Sequence, residues 1–590
     1  MSSARATLLW SLLAGLLALG ASLRWDATPD LSGVMPEIDG VHPVRAAQAF
    51  HQAWVPGGGF LDKYPPLGSF VMGALVCALD GDYARDTAHI AELPDSERRQ
   101  RLWPLRARTQ RLLEAERWIS RAAMAASAAL VTALVLALLR RRGDPGAAPG
   151  SGSPQQPATP QQPATPHVVA ALLAGAGFAC SATALCYANT TNVDALALCA
   201  SLAALLAGVQ RRWIAAAVAV ALATALKDPA GALAPVILAG AWCDRGAAET
   251  PSAASEASRA ADAHGANAPG AMRPAGTTRL GRGRRTLLVL GAGVLAYAVA
   301  SGALTGPDVW WQHVRYLFGG GVSGVDRIDH AAPAQWGALA GYVAGLLRGA
   351  LGWPAVVLGL AGLALLVRRR TAAGWLPVGG LLATPALFVL PIGFAYSRFL
   401  LVPMALLCAG AGVLLVAVAR RADGRPAPAR RVAALALAMA GPLLDPQVAD
   451  FHRFVAPAGD ARAAMAEALP ALAPDGSRIV FFADEREHGP PLDPGRWSLE
   501  VAGLDTADGR LRAWAAGPPE ARPDFVLWMS FPNDRPSGLP TAREPTPAPG
   551  TRVGGILDVV RVWDVPADGS WPVRSFAVRP RLILMARRAP

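Results

Sequence analysis

Two carboxylic acids in the first polar segment of the chain are the first candidates for chemistry. Glu37 and Asp39 stand two residues apart, after the first apolar run and before nearly all of the others. A carboxylate at this place can take the proton from an attacking hydroxyl or amine group. Two acids at this spacing can instead hold a divalent cation. A solvated acidic loop has the same composition, so the two acids alone leave these three interpretations open.

A lysine followed by two prolines is the second candidate. It lies in the string DKYPPL, residues 62–67. Proline fixes the backbone and is accepted in the first turn of a helix, so we expect a short helix to begin here and to cover residues 66–79. Lys63 then stands at the boundary of lipid and water, where its ammonium group can meet a phosphate. The alternative is that Lys63 and Tyr64 only extend their polar ends to the interface.

A third polar group lies far along the chain, in the string WWQHVRYLFGGG at residues 310–321. His313, Arg315 and Tyr316 stand there between a tryptophan pair and three glycines. Glycine permits a close approach of the backbone, which suits a loop that closes over a substrate. An aromatic belt at the membrane interface is an equal alternative.

The elements that must position these residues are membrane-spanning helices. Of the 590 residues, 53% are hydrophobic and 17% are charged, and uncharged runs long enough to cross a bilayer recur. This pattern predicts an all-α polytopic membrane protein with about eleven spans. They are expected at residues 6–23, 119–139, 167–187, 193–209, 213–226, a run ending at Trp242, 286–304, 338–367, 375–394, 399–419 and 432–444. Lys227 and Asp228 are expected to pair with each other at the end of the fifth span.

The distribution of arginines orients these spans. The formal charge is +12, but the arginines cluster beside apolar runs, which indicates the positive-inside bias and contact with membrane lipid rather than with nucleic acid. Residues 143–166 and 243–285 are then cytoplasmic linkers, and the loop 24–118 lies outside with its juxtamembrane helices. In this topology the run 66–79 does not cross the membrane.

The last part of the chain differs in composition from residues 1–445. Residues 446–590 are less apolar and contain strand-like runs at 479–482, 525–528 and 557–562, which predict a small soluble α/β or mostly β domain on the outer side. The six cysteines of the chain lie in or beside apolar runs and form no CxxC pair, so no disulfide framework or zinc site is predicted.

The order of these motifs resembles a known family. An acidic first outer loop followed by Lys-Tyr-Pro-Pro-Leu resembles the GT-C superfamily of polyprenyl-phosphate-dependent glycosyltransferases. The similarity is to bacterial relatives of protein O-mannosyltransferases and aminoarabinose transferases. Three further stretches agree: the outer loop from Tyr187 to Asp194, ALKDPA at 225–230, with Asp228 where the family usually has glycine, and YSRFLLVP at 396–403. The resemblance covers about residues 6–420.

The resemblance implies an inverting glycosyltransferase with a GT-C-like fold. It would move a sugar from a polyprenyl-phosphate donor to a glycan, lipid or protein acceptor at the periplasmic face of a bacterial cytoplasmic membrane. Asp39 matches the catalytic base, Lys63 matches the lysine that contacts the phosphate, and Asp194 matches a second-loop acid. Glu37 or Asp194 would orient the acceptor or bind a divalent metal ion, and no other cofactor is implied.

The second phosphate ligand stays open. The family often has an arginine or tyrosine three or four residues after the first acid, where this chain has His42 and Pro43, and Arg45 follows later. Arg315 and Arg398 are the alternatives. The residues implied in substrate binding are therefore Lys63, Tyr64, Arg45, His42, Asn192, His313, Arg315, Tyr316 and Arg398.

Two other functions remain open at this point. A transporter or flippase of lipid-linked sugars would also need an apolar bundle and basic contacts to a lipid phosphate. It would not need an acidic loop on the outer side, and the sequence shows no inverted repeat of the kind that many transporters have. A non-catalytic assembly subunit would tolerate the loss of Asp39.

Overall fold

The structure is a computed structural model in which most of the described residues form helices. It describes residues 3–25, 43–52, 66–87, 90, 101, 103–140, 165–244, 282–318, 336–368, 371–392, 395–419, 433, 461–482, 489–490, 492–503, 506–530, 548–553, 555–563 and 581–587. A helical part with a large apolar core is followed by a small mixed sheet.

Fifteen α-helices of seven or more residues lie between Ser3 and Ala419 in the described part of the chain. The first ten are α1 (Ser3–Trp25), α2 (Pro43–Gln52), α3 (Pro66–Leu79), α4 (Gly81–Thr87), α5 (Arg106–Arg140), α6 (Thr165–Ala179), α7 (Ala182–Ala188), α8 (Asp194–Val209), α9 (Trp213–Leu226) and α10 (Ala234–Cys243). The next five are α11 (Arg282–Ala300), α12 (Pro307–Phe318), α13 (Trp336–Arg368), α14 (Ala372–Thr384) and α15 (Leu401–Ala419). 3-10 segments at Asp228–Leu233 and Ser397–Leu400 lead into α10 and α15, and a π-helix at Pro385–Val389 with a short helix at Leu390–Ile392 continues α14.

The described residues contain six helices that are long and apolar enough to cross a membrane, or eight spans if each of two bent pairs counts as one. The prediction of a polytopic helical membrane protein agrees with this, whereas the count of eleven is not reached. The predicted third span is a pair, α6 and α7, bent by 66°. α8 has 16 residues and rises about 24 Å, less than a hydrocarbon layer of about 30 Å. The predicted span 432–444 lies almost wholly outside the described residues.

Hydrogen bonds at the two ends of the α1–α5 pair show which loops share an end of the bundle. Arg140, at the end of α5, donates to the Thr7 hydroxyl near the start of α1. At the other end, the Asn189 amide donates to the Ser22 carbonyl of α1 at 3.2 Å, and Arg121 of α5 donates to the Asn189 side chain at 2.8 Å. The first end is called the basic end below, and the second is called the Asp194 end.

At the basic end, charged side chains cluster around Asp244, whose side chain is buried. Asp244 lies 3.4 Å from Arg211 and 3.5 Å from Arg285, and it accepts a hydrogen bond from the Trp213 indole at 2.9 Å. These contacts join the starts of α9 and α11 to the end of α10. Arg211 and Arg285, from two of the arginine clusters that the sequence assigned to one side of the membrane, therefore meet at one end of the bundle.

Helix α3 begins and ends at the Asp194 end. Gly68, in its first turn, packs so closely on Val193 that a Cβ would lie 2.5 Å from a Val193 methyl group. Past its last residue, Asp80 pairs with Arg108 at 2.6 Å, and this hydrogen bond holds the pKa of the Asp80 carboxyl below its usual range. Arg108 lies about 20 Å along α5 from Arg121, on the side away from the basic end. Helix α3 therefore does not run from one end of the bundle to the other, in agreement with the sequence prediction.

Close backbone contacts set the packing of α13 on α15. A Cβ on Gly359 would meet the Leu407 carbonyl oxygen at 2.5 Å, and one on Gly362 would meet the Gly410 carbonyl oxygen at 1.8 Å. Small residues at such crossings let two helix backbones approach each other. α13 is broken at Gly352, whose φ of 71° is left-handed and favours glycine.

The carboxyl-terminal part forms a six-stranded sheet with helices on both faces. Its helices are α16 (Ala461–Leu472) and α17 (Ala507–Ala516), and its strands are β1 (Arg478–Phe482), β2 (Ser498–Ala502), β3 (Phe525–Ser530), β4 (Arg552–Val553), β5 (Leu557–Trp563) and β6 (Arg581–Arg587). The strand order is β2-β1-β3-β6-β5-β4, with β1 parallel to β2 and β3 and the other pairs antiparallel. Met465 of α16 packs on one face and Trp514 of α17 on the other. The three strand-like runs are β1, β3 and β5, and the unit is α/β.

Candidate functional site

A small cavity, partly open to the outside, lies at the Asp194 end of the bundle. It is bordered by α8, by the turn before α10, by the end of α14 and by the start of α15. Asp194, Lys227 and Arg398 bring three charged side chains to it, and Ser201 and Thr384 add hydroxyl groups. The rest of the lining is mostly apolar and consists of Ala197, Leu198, Pro229, Ala230, Leu233, Phe399, Leu401 and Val402. The site thus combines a net positive polar region with a wall suited to a hydrocarbon chain.

Asp194 is the first residue of α8 and is only 5% exposed. Its backbone N–H donates to the Asn192 side-chain oxygen at 3.2 Å, which fixes the start of the helix. The helix N-terminus favours a carboxylate in its first turn. The Asp194 Oδ2 atom lies 3.7 Å from the Lys227 Nζ atom and has no hydrogen-bond partner among the described residues. This oxygen retains capacity to accept a hydrogen bond from a ligand.

Lys227 stands where α9 must end. Its backbone is extended, with φ −157° and ψ 123°, while its N–H still bonds to the Ala223 carbonyl at 2.9 Å. A 3-10 segment begins at Asp228, and Pro229 in its first turn has no N–H to continue α9, so the chain turns at Lys227 and the Lys227 side chain lines the cavity. The prediction that Lys227 and Asp228 pair with each other is not confirmed, because Lys227 lies beside Asp194 and Asp228 lies beside His313.

Asp228 connects the cavity region to α12. Its Oδ1 atom lies 3.1 Å from the Nε2 atom of His313, and both side chains are largely buried. Arg315 lies on an exposed part of the same helix, with its guanidinium carbon 5.6 Å from the centre of the Trp311 ring. The structure therefore brings His313 next to the cavity through Asp228, whereas Arg315 does not line it. Trp311 is exposed, as an aromatic belt at the membrane interface requires. The alternative interpretation, a loop that closes over a substrate, stays open.

Arg398 lines the cavity, so of the two alternatives for a second phosphate ligand it is the one placed beside Asp194 and Lys227. Its guanidinium carbon lies 4.6 Å from the centre of the Tyr396 ring and 5.5 Å from that of Phe399. Contacts of this kind are favourable and restrict the orientation of the guanidinium.

Helix α5 holds the turn that leads into α8. In addition to the Arg121–Asn189 bond, the Ser120 hydroxyl donates to the Asn192 carbonyl at 3.4 Å. The Asn192 side chain, predicted to bind substrate, is buried and lies between this contact and Asp194. Asn192 thus has a structural role at the start of α8.

Most of the predicted first-loop site lies outside the described residues. This holds for Glu37, Asp39, His42, Lys63 and Tyr64 and for the side chain of Arg45. The side chain of Tyr316, on α12, also lies outside the described part. The helices that flank the first loop are described: residues of α2 and α3 pack in one apolar cluster with Val193. The helix that follows Asp39 and the helix that follows Lys63 are therefore both placed beside the residue that precedes Asp194.

Metal binding is not tested at the predicted place, because Glu37 and Asp39 lie outside the described residues. Within the described ranges, no three His, Cys, Asp or Glu side chains converge on one point. Comparison of the chain with models of known protein families gives no match, and comparison with curated protein sequences gives none either.

Proposed function

We propose that the chain is a membrane-embedded inverting glycosyltransferase that takes a sugar from a polyprenyl-phosphate donor. The acceptor would be a glycan, lipid or protein at the periplasmic face of a bacterial cytoplasmic membrane. The observation that carries the proposal is the cavity in which Lys227 and Arg398 stand beside Asp194 against an apolar wall. The GT-C-like fold, its eleven spans and the periplasmic position of residues 446–590 are parts of the same proposal.

The charges of the cavity match the head of a lipid-linked sugar. Arginine can contact two phosphate oxygens through its planar fork, and lysine adds a point charge. The apolar wall would take the first units of the prenyl chain, and its burial is favourable at about 25 cal/mol per Å². Asp194 would accept a hydrogen bond from a sugar or acceptor hydroxyl through its Oδ2 atom.

The reaction would be a single displacement at the anomeric carbon. Asp39 would take the proton of the acceptor hydroxyl or amine while its oxygen or nitrogen attacks from the face opposite the phosphate. The bond between the anomeric carbon and the phosphate oxygen breaks, a new glycosidic bond forms, and the configuration inverts. Lys63 with Arg398 or Lys227 would stabilise the charge of the departing polyprenyl phosphate, and Glu37 would orient the acceptor or hold a metal ion.

The packing of α2 and α3 supports a role for the first loop in this site. Asp39 is four residues from the start of α2, so the chain can carry it at most about 14 Å from Pro43. Lys63 is three residues from the start of α3, within about 11 Å of Pro66. Because both helices pack beside Val193, these limits allow both side chains to reach the region of Asp194.

The proposal is tested with purified protein, a polyprenyl-phosphate sugar and a set of glycan, lipid and protein acceptors. Asp39→Asn keeps the size of the side chain but removes the base, so transfer should fall by about 10²-fold or more while donor binding changes little. Lys63→Ala should weaken both donor binding and turnover, because its charge meets the phosphate in the donor and in the leaving group. Full transfer by a well-folded Asp39→Asn protein would contradict this mechanism.

The same two variants separate the transferase from a transporter of lipid-linked sugars, which the basic and apolar lining would also suit. In vesicles that contain a fluorescent polyprenyl-phosphate sugar, a flippase should lose activity on Lys63→Ala and keep it on Asp39→Asn. Loss of product formation in Asp39→Asn, with an unchanged distribution of lipid between the leaflets, supports the enzyme.

A further inference from the structure

Arg117 is a buried cation near the Asp194 end of α5, and it does not line the cavity described above. Its side chain is 2% exposed, and its Nε atom has no hydrogen-bond partner among the residues that the structure describes. A guanidinium stays protonated in proteins. An uncompensated buried charge is strongly unfavourable, so this position calls for an acceptor of negative charge.

Asn192 supplies a second, independent sign of a missing acceptor. Its side chain is also 2% exposed. Its Oδ1 atom accepts the N–H of Asp194, but its Nδ2 atom has no hydrogen-bond partner within the described ranges. A buried amide group without an acceptor is costly, and native structures rarely leave one without a reason.

The two donors belong to one junction between α5 and the turn before α8. Ser120 contacts the Asn192 carbonyl at 3.4 Å. Arg117 precedes Ser120 by three residues, so the two side chains leave the same face of α5 with their Cβ atoms about 5–6 Å apart. Arg121, one turn further along, is satisfied by Asn189 at 2.8 Å. Arg117 and Asn192 thus each bring to this junction a donor atom without a hydrogen-bond partner among the described residues, and the Glu116 carboxylate beside Arg117 in the chain is buried as well.

We propose that Arg117 and Asn192 form an oxyanion subsite that binds a phosphate group, separate from the cavity of Lys227 and Arg398. A guanidinium fork and an amide donor suit two oxygens of one phosphate. Asp194 lies between the two places, because it lines the cavity and is hydrogen-bonded to Asn192. The subsite does not depend on sugar transfer, since a transporter of lipid phosphates would need it equally.

The test measures how phosphate compounds raise the melting temperature of the purified full chain, because a ligand that binds only the folded state stabilises it. The probes are farnesyl phosphate, inorganic phosphate and, as the uncharged control, farnesol. All measurements are repeated with Lys227→Met, which removes one of the two cations of the other cavity. The matched control is Arg111→Gln, which removes the same charge from an exposed position of the same helix.

In the Lys227→Met background, Arg117→Gln should raise the half-saturating concentration of farnesyl phosphate by about tenfold or more. Asn192→Ala should raise it in the same direction, and Arg111→Gln should leave it unchanged. Protection by inorganic phosphate as well identifies a site for the free anion, and protection by farnesyl phosphate alone identifies a lipid headgroup.

Equal binding of farnesyl phosphate with and without Arg117→Gln would overturn the proposal, and so would equal protection by farnesol. A lower melting temperature of unliganded Arg117→Gln with unchanged phosphate binding would assign Arg117 to an acceptor within the chain, which also overturns it. If Arg117→Gln does not fold, Arg117→Lys and Asn192→Ala test the proposal in its place. Both variants keep the positive charge at position 117, and each should weaken phosphate binding.

Discussion

Asp194 and Lys227 place two opposite, buried charges in the candidate cavity, where a ligand can contact them. Their charged atoms are 3.7 Å apart, which is close enough for attraction and too far for a good hydrogen bond. The Asp194 Oδ2 atom has no hydrogen-bond partner among the described residues, so it can accept a hydrogen bond from a third group. Burial makes the pair sensitive to the loss of either partner, because the remaining charge is then left without compensation.

At the residue scale we predict coupling between these two charges. Lys227→Met leaves the Asp194 carboxylate buried without its cation, which should destabilise the protein by about 3 kcal/mol and lower its melting temperature. Adding Asp194→Asn removes the uncompensated charge, so the double variant should melt closer to the wild type than Lys227→Met does. Thermal melting of the four proteins in one detergent measures this cycle. Additive effects of the two changes would contradict the pairing.

The sequence predicted part of this site at the residue scale. Asp194, Asn192 and Arg398 were named from a motif resemblance, and the structure brings all three to the same end of the bundle. The role of Lys227 was not predicted, because a lysine beside an aspartate suggests a local pair and its actual partner lies on another helix. Nothing in local spacing shows which helix ends meet across a bundle.

At the scale of elements, the contact between the first turn of α3 and the residue before α8 links the first-loop candidates to Asp194. The sequence predicted α3 with the bounds that the structure has, since two prolines and a short apolar run are local signals. It also predicted α9 from its apolar run. The long helix α5 was divided at residue 119 in the prediction, because its first turns are basic. The structure continues it from Arg106, where Leu112 packs on α2 and α3.

The close contact between Gly68 of α3 and Val193 gives a prediction in which a second substitution should relieve the effect of the first. Gly68→Ala places a methyl group 2.5 Å from a Val193 methyl, so it should push α3 from α8 and lower the melting temperature. Val193→Ala removes that closest contact, and the double variant should be more stable than the two separate losses would give. Gly81→Ala is the matched control, because a Cβ there meets nothing within 4 Å. A Gly68→Ala protein as stable as Gly81→Ala would show that the contact is not close in solution.

Helix α12 should depend on the polar contact between His313 and Asp228. His313 is its buried polar contact to Asp228, and the rest of its described surface is largely exposed. His313→Ala should therefore increase hydrogen exchange across Pro307–Phe318, while α9 keeps its protection. Gln312→Ala, an exposed neighbour on the same helix, should not change the exchange. Equal exchange in both variants would show that other contacts hold α12.

At the scale of the whole molecule, the number of spans could not be read from hydropathy. Helices as short as α8 and pairs as bent as α6 and α7 satisfy an apolar window without having the length of a crossing helix. Tilt and depth depend on packing against neighbours, which the sequence does not state. The order of the strands in the sheet has the same limitation, because β6 pairs with β3 and β5 across long stretches of chain.

What the charge pattern did predict is which loops lie together, and this yields the last prediction. The structure places Asp82 and Thr305 toward the Asp194 end and Gln210 and Thr371 toward the basic end, and all four are exposed. In a chain whose six cysteines are replaced, single cysteines at the first two positions should react with an impermeant maleimide from one side of the membrane, and those at the other two from the opposite side.

The proposed function adds the orientation of the two ends. Asp82→Cys and Thr305→Cys should react in intact cells whose outer membrane has been permeabilised, because the donor site is proposed to face the periplasm. Gln210→Cys and Thr371→Cys should react only after the cytoplasmic membrane is opened, in keeping with the arginines at the basic end. Labelling of Asp82→Cys and Gln210→Cys from the same side would contradict the fold. If the two pairs of cysteines are labelled from opposite sides, but Gln210→Cys and Thr371→Cys react from the periplasm, the fold is kept and the periplasmic position of the site is contradicted.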